Sequence, residues 1–376
     1  MILSYKFRIE PNKTQAAAFS GMLRDFCHLY NAALDHRVQA YRKGVSVRCN
    51  DQIVTLPIIR RDIAEQGRWS CTAQQQVLRK LDKSFKAFFG RIKRGAKAGF
   101  PRFRAAARYH AADFRVGDGL TIRKSGKLGF VGVPGEVKVR WHRDLPSKPK
   151  SAILSCNAGK WYVIFHVEVA PSERASTSTD SVGIDLGLTS LIALSTGETI
   201  SRPNITKRHS KRLRVLQRAL ARCKRGSRVR SRRKAAVARH HAHIAASRSD
   251  FLHKESRKLV NRFGRIAIEN LNIKGLAGGM LAKHVNDASW AQLTSMISYK
   301  AGNAGCEIVM VDPRGTSQTC PECGTVARKT LAERTHRCEC GCVLDRDVAA
   351  AVVVHFRAFG FMPGTGFGSS SERVAA

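Results

Sequence analysis

The sequence predicts a mixed α/β and α+β multidomain chain: a small β-domain interrupted by a helical lobe, then an α/β half that carries a four-cysteine metal module. Three observations lead there. The opening MILSYKFRIE alternates apolar and polar residues as a strand does, yet the next strand-rich stretch begins only at Gly117. Between them the apolar spacing is helical. Five of the 11 cysteines crowd into Cys320 to Cys342 while the other six are scattered singly, which is the spacing of a metal site in a reducing compartment.

The first strand ends at Pro11, and helical spacing runs from Lys13 to about Lys43 and again from Thr72 to Arg94. In the second helix Val77, Leu78, Leu81, Phe85, Phe88, Phe89 and Ile92 form the apolar face, and Arg79, Lys80, Lys83, Lys86, Arg91 and Lys93 the polar one. The segment GFPRFRAAARYHAADFR interleaves Phe100, Phe103, Tyr109 and Phe114 with Arg102, Arg104, Arg108 and Arg115, a composition suited to base stacking and phosphate contact. From Gly117 to Ala170 strands dominate, and SAILSCNAGKWYVIFHVEV reads as a hairpin turning at Asn157 to Lys160. A lone strand at residues 1–10 is unstable, so it is expected to join this later sheet and make the helices an insertion. The polar stretch Pro171 to Asp180 reads as a linker.

Beyond the linker, SVGIDLGLTSLIALSTGETI reads as two strands. Between Thr206 and Lys234 stand 14 Lys or Arg and no acid, with a thin apolar seam of Leu213, Leu216 and Leu220. Like charges at this density destabilise an unpartnered helix, so Lys207, Arg208, Lys211, Arg212, Arg218, Arg232 and Arg233 are candidate nucleic-acid contacts, as are Lys80, Arg102 and Arg104 upstream. A second helix to about Arg262, the strand GRIAIENL, a helix from Trp290 to Ala301 and the strand EIVMV at 307–311 follow. The Gly- and Ser-rich end from Arg357 is expected to be disordered.

The formal net charge is +38, from 66 Lys plus Arg against 28 Asp plus Glu. Such a charge repels itself in a free compact protein and is neutralised by nucleic-acid phosphates, which release counterions in exchange. It runs through every region, unlike the one-sided charge of an amphipathic membrane binder. The start lacks the apolar stretch of a signal peptide, and the run Val348 to Val354 falls far short of the roughly 20 residues of a spanning helix. A cytoplasmic protein with no membrane partner and no small-molecule cofactor is expected.

Two constellations carry chemistry. Cys320-Pro-Glu-Cys323 is followed after 14 residues by Cys338-Glu-Cys340, each half closed by a glycine. Four thiolates so arranged supply the closed tetrahedral shell of one structural zinc. Cys342 and His336 lie close enough to substitute in the second half, with Cys338 and Cys340 ranked first. The other constellation is Asp185 in GIDLG, Glu269 in IAIENL, and Asp345 or Asp347 in VLDRDVAAA. Singly these are the acids of turns and helix caps, and GIDLG also occurs in actin-like ATPases. Jointly, three carboxylates at the ends of apolar segments in so basic a chain point to cations, since buried acids need one. Two magnesium ions on such a set hydrolyse phosphodiesters by two-metal chemistry. Asp345 and Asp347 stand two positions apart, so only one is expected to face the other acids.

GIDLGLTSLIAL, IAIENLNIKGL and TSQTCPECG followed by CGCVLDRDVAAA, in that order around a basic insert, resemble the transposon-encoded TnpB (OrfB) family. KFRIEPNKTQ, SFKAFFGRIKRGAKAGFPRF and AGKWYVIF extend the resemblance over nearly the whole chain except the tail. It implies an RNA-guided DNA endonuclease related to the miniature type V CRISPR effectors. The implied parts are a wedge β-domain (1–11 and 104–178) with an inserted helical recognition lobe (12–103), and a RuvC domain of RNase H-like fold (179–315 and 343–358) with a basic helical insert (206–262). A zinc-bearing, zinc-ribbon insert that binds target nucleic acid (316–342) and a disordered tail (359–376) complete the list. The implied partners are a noncoding guide RNA from the transposon end and target double-stranded DNA beside a short flanking motif, with sequence choice left to pairing. Asp185, Glu269 and Asp347 match the three RuvC acids, and Gln75 and Gln76 fall where the family contacts the flanking motif. The family usually has Asn two residues after the last acid, where this chain has Ala349. The rival readings are a transposase that uses the same acids, and a nuclease-inactive RNA-guided repressor.

Overall fold

The computed structural model describes residues 1–170, 178–279, 282–330 and 333–360. They fall into two compact units, Met1–Val169 and Ala170–Ala376.

The first unit opens with β1 (Ile2–Glu10) and α1 (Lys13–Arg42). Asn12 and Gln15 form a reciprocal capping box at the start of α1: Asn12 Oδ1 accepts from the Gln15 N–H at 2.8 Å and Gln15 Oε1 accepts from the Asn12 N–H at 3.1 Å. Phe19, Met22, Phe26, Leu29, Tyr30 and Leu34 make its buried stripe at helical spacing. Three short helices, α2 (Cys49–Val54), α3 (Leu56–Asp62) and α4 (Ala64–Gly67), lead into α5 (Cys71–Lys93), whose N-cap Ser70 accepts from the Ala73 N–H. Six strands follow: β2 (Ala111–Val116), β3 (Gly119–Ile122), β4 (Leu128–Phe130), β5 (Glu136–Arg140), β6 (Ser151–Asn157) and β7 (Lys160–Glu168).

With β1 they close into a barrel of order β1-β5-β4-β3-β2-β6-β7, so the first strand does join the later ones and the helices are an insertion. β1 lies antiparallel to both β5 and β7, in register from Ile2↔Glu168 to Ile9↔Trp161, and the Met1 ammonium donates to Val169 O at 2.7 Å. Phe7, Ile9, Val137, Val139, Val163 and Phe165 alternate inward and share one core with α1 and α5. Edge-to-face rings join α1 to the barrel at Phe19–Phe130 (4.9 Å) and two barrel strands at Phe114–Phe130 (5.4 Å), each adding about 1 kcal/mol beyond its buried area.

The second unit is built on a five-stranded sheet of order β10-β9-β8-β11-β12, from β8 (Ser181–Asp185), β9 (Ser190–Leu194), β10 (Thr199–Ser201), β11 (Arg265–Glu269) and β12 (Glu307–Val311). The first three strands are antiparallel neighbours, and β8, β11 and β12 run parallel. Between β10 and β11 lies the basic hairpin of α6 (Ile205–Ala221) and α7 (Arg228–Arg262). Helices α8 (Ile273–Leu276), α9 (Ala282–Ala288) and α10 (Trp290–Ala304) separate β11 from β12. A two-stranded ribbon, β13 (Thr335–Arg337) and β14 (Val343–Asp345), then leads directly into α11 (Arg346–Phe359).

The two faces of this sheet are dressed differently. Val182, Ile184, Ile266 and Ile268 pack with Leu252, Leu259 and Val260 of α7 and Leu293 and Ile297 of α10. The alternate residues, Gly183 and Ala267, are small and face α11. A Cβ at Gly183 would stand 2.1 Å from Ala351 O and 2.6 Å from His355 N, so only glycine admits the helix at this distance.

The structure departs from the sequence reading in three places. Strands begin before Gly117, because Ala111 to Val116 already pair with β6 as β2. The segment expected to hold two strands holds three, because Thr199 to Ser201 fold back onto β9 after the turn at Gly197. The end does not loosen at Arg357: α11 continues to Phe359, and Arg357 Nη1 donates to Asp312 O (3.0 Å) and Arg314 O (2.8 Å). Most of the expected linker (171–177) and of the expected tail (361–376) lies outside the described residues.

Candidate metal centres and nucleic-acid interface

Asp185 and Glu269 are the last residues of the adjacent parallel strands β8 and β11, whose register pairs Ala267 with Gly183 and Ile268 with Ile184. Side chains alternate along a strand, so Asp185 shares a face with Gly183 and Glu269 with Ala267. Both therefore project toward the α11 side, one strand spacing of about 4.8 Å apart at the carboxyl edge of the sheet. At the start of α11, Asp345 turns to the backbone: its Oδ1 accepts from the N–H groups of Asp347 (2.9 Å) and Val348 (3.2 Å) as the N-cap. Asp347, two residues on, lies against the β8–β9 turn, where a Cβ at Gly187 would sit 3.2 Å from its Oδ2. Asp347 thus faces Asp185, and Asp345 does not.

The electrostatics of the three acids are coupled. Burial, then the neighbouring carboxylates of Glu269 and Asp347, hold the Asp185 carboxyl well above the usual carboxylate range, against the opposing pull of Arg346. Burial raises Glu269, which is 6% exposed, while the Thr316 hydroxyl, donating to its Oε1 at 2.5 Å, and Arg357 oppose the rise. Asp347 is raised by burial and then by Asp345, and lowered by Arg346 and Arg334. Three acids that disfavour one another's charge in a partly dry site are the donor set a divalent cation satisfies. Among the described residues, the groups whose ligand atoms all lie within 4.8 Å of one another belong to the cysteine module.

The loop that supplies Thr316 continues into the cysteine module. Cys320 N–H donates to Thr325 O, and Gly324 N–H to Cys320 O, making the first knuckle; Cys338 N–H to Cys342 O and Gly341 N–H to Cys338 O make the second. Gly324 and Gly341 take the positive φ that each turn requires, 76° and 89°. The knuckles bring Cys320 Sγ to 3.7 Å from Cys340 Sγ and Cys323 Sγ to 3.5 Å from Cys338 Sγ. Zinc–sulfur bonds of about 2.3 Å in a tetrahedron demand sulfurs about 3.8 Å apart, so Cys320, Cys323, Cys338 and Cys340 fit a zinc ion. The Thr325 hydroxyl, 3.3 Å from Cys323 Sγ, is the main cause that brings this thiol down to about 6, where the thiolate prevails at neutral pH. The guanidinium of Arg346 donates to Thr330 O and Glu333 O, both at 3.1 Å, tying the module to the start of α11.

Lys207, Arg208, Lys211, Arg212, Arg218, Arg232 and Arg233 are all exposed on α6 and α7. Upstream the candidates divide. Arg102 is exposed, but Arg104 is half-buried with its guanidinium 4.4 Å from the centre of the Tyr30 ring, and Lys80 pairs with Asp113 at 3.7 Å. Gln75 and Gln76 are half-buried on α5. Of the interleaved aromatics, Phe100 and Phe103 are exposed, whereas Tyr109 and Phe114 are core. Ala349 is buried in α11 and offers no side-chain polar group. The sequence reading gave Thr316 and Arg346 no role, although each lies inside a quoted motif, TSQTCPECG and VLDRDVAAA.

A strongly basic chain with exposed basic helices and a zinc-type knuckle has the marks of a nucleic-acid-handling protein. Comparison with known proteins narrows the class. A family model described as "Probable transposase" matches residues 164–279, and one described as "Cas12f1-like, TNB domain" matches residues 290–354. A third, described as a helix-turn-helix domain, matches residues 1–45, which here form β1 and the single helix α1. A Streptomyces pristinaespiralis protein named "Putative RNA-guided DNA endonuclease" is 35% identical over 93% of this chain and 87% of its own length. The Escherichia coli K12 protein InsQ, which bears the same description, is 29% identical over 89% of this chain and 87% of its own. A solved Cas12f1–sgRNA–target DNA complex shares the fold, with a TM-score of 0.58 at 14% identity over 92% of this chain and 83% of that one. The chain belongs to the TnpB (OrfB) family.

Proposed function

We propose that this protein is an insertion-sequence-encoded, RNA-guided DNA endonuclease whose second unit is a RuvC-type nuclease domain of RNase H-like fold. The reading rests on Asp185 and Glu269 ending paired parallel strands and on Glu269 and Asp347 both acting electrostatically on the Asp185 carboxyl. The sheet order, three antiparallel strands followed by two parallel ones, supports the fold assignment.

In this reading Asp185, Glu269 and Asp347 hold two magnesium ions. When bound, magnesium supplies water activation on one side of a phosphodiester and stabilisation of the departing oxygen on the other. Thr316 holds the Glu269 carboxylate in place, Asp345 sets the start of α11, and Arg346 offsets the acids' mutual repulsion. The cysteine module folds its loop around zinc and so fixes Thr316. The exposed cations of α6 and α7 bind phosphates of a guide RNA transcribed from the transposon end, which pairs with target DNA next to a flanking motif read by the first unit. No described helix is long and apolar enough to cross a membrane, and the cytoplasm is the proposed compartment.

The test is cleavage of target DNA by the protein with its copurified RNA, in magnesium and in EDTA. Asp185→Ala should abolish cutting and leave RNA affinity within about twofold, since it removes a metal ligand and no phosphate contact. Undiminished cutting by that variant would overturn the site. Strand cleavage without RNA would favour a transposase, the reading suggested by the name of the family model over 164–279.

A further inference from the structure

The cysteine module contains more ligands than one zinc uses. Cys342 is 3% exposed, His336 1% and Cys320 2%, and one ligand atom from each lies within 4.8 Å of the other two. This set is distinct from the four-thiol set and shares only Cys320 with it. The ribbon explains the placement: His336 stands opposite Leu344, and Cys342 closes the β13–β14 turn by accepting the Cys338 N–H at 3.0 Å, so both side chains stand on one face of the hairpin.

A second observation points to a ligand. His336 Nε2 is buried and has no hydrogen-bond partner, which native proteins rarely tolerate. The other ring nitrogen, Nδ1, is taken by Lys329. Glu322, exposed between the first pair of cysteines, acts electrostatically on both His336 and Cys342.

We propose that the module is binuclear: one zinc on Cys320, Cys323, Cys338 and Cys340, and a second on Cys320, Cys342 and His336, with the Cys320 sulfur bridging the two. Three protein ligands leave the fourth position of the second ion to water. Two thiolates, an imidazole and a water make an ordinary zinc donor set. When the ring takes the ion through Nε2, Lys329 turns to the Ser317 carbonyl it already reaches at 3.3 Å. The inference is independent of the nuclease reading, because it concerns only the metal content of the module.

The experiment is metal counting on the full-length chain by native mass spectrometry and elemental analysis, with zinc as the probe. Two zinc ions per chain are expected in the unaltered protein. One is expected in Cys342→Ser and in His336→Gln, with the remaining ion's presence showing that the four-thiol site is still folded. In the cobalt-substituted protein, two ions sharing a sulfur couple, so the paramagnetic resonance signal falls well below that of two isolated cobalt ions. The His336→Gln variant, with one cobalt, shows no such loss. A single zinc in the unaltered chain, two zinc ions retained by both variants, or fully additive cobalt signals would each overturn the proposal.

Discussion

Thr316 Oγ1 donates to Glu269 Oε1 at 2.5 Å across 47 positions of chain, joining the last residue of β11 to the loop that begins the cysteine module. Both groups are buried, so the bond orients a carboxylate that water does not hold. Supporting partners of this kind typically change metal affinity or activity by about 10- to 100-fold. Thr316→Val should therefore weaken magnesium activation of cleavage by about that factor, and Thr316→Ser should restore most of it. Loss of the bond also raises the Glu269 carboxyl further, so the deficit should be largest at low pH and shrink as pH rises. A rate against magnesium titration at three pH values checks this; a pH-independent deficit would speak against an electrostatic role.

The raised carboxyls have a thermodynamic consequence. Asp185, Glu269 and Asp347 all titrate above their ordinary values in the metal-free fold. The folded state then binds protons more tightly than the unfolded one, so these groups support the fold fully below about pH 4 and lose that support as pH rises through their folded values. In EDTA, Asp185→Asn should melt higher than the unaltered protein at pH 8, with the difference narrowing toward pH 5. Magnesium should raise the Tm of the unaltered protein at pH 8 and raise that of the variant much less. Differential scanning calorimetry gives both comparisons.

Gly183 lets α11 approach the sheet closely in the second unit. A methyl group there meets Ala351 O at 2.1 Å, and neither partner is a flexible side chain that can swing away. Gly183→Ala should cost about 1–3 kcal/mol in urea unfolding, as overpacked sites do. Because Asp347 rides on the displaced α11, cleavage should fall further than the loss of folded protein accounts for. Normal cleavage per folded molecule would mean that α11 tolerates the shift.

Neutralising Lys207, Arg208, Lys211 and Arg212 together tests the basic hairpin. If each contacts a phosphate of single-stranded RNA, the slope of log affinity against log salt should flatten by about 0.7 per contact, close to 3 for all four. Filter binding at several salt concentrations measures it. An unchanged slope would assign these exposed side chains to solvent.

Much of this arrangement is legible before any coordinates. The alternation in SVGID and RIAIE places small residues and acids on one face and branched aliphatics on the other, and the two Asp of VLDRD divide into a cap and a facing acid as helix geometry demands. The cysteine spacing likewise foretells four converging sulfurs. What escaped depends on distance or on context. The Thr316 bond spans 47 positions and leaves no local trace. The third strand, Thr199 to Ser201, is too short for a periodic signal. Arg104 sits in a run whose aromatic and basic residues suit nucleic acid, yet stacking on Tyr30 uses the same chemistry inside the protein.

The clasp of β1 between β5 and β7 governs the order of assembly. The strand synthesised first has no partner until residues 136–140 emerge, and its longer pairing waits for residues 160–168. Helices α1 and α5 can gain local contacts before that, but their buried faces share one core with the barrel and are covered only when it closes. A nascent chain stalled before residue 160 would therefore carry helices whose buried faces are incompletely covered and an open strand edge, the stage at which a neighbouring chain can pair in its place.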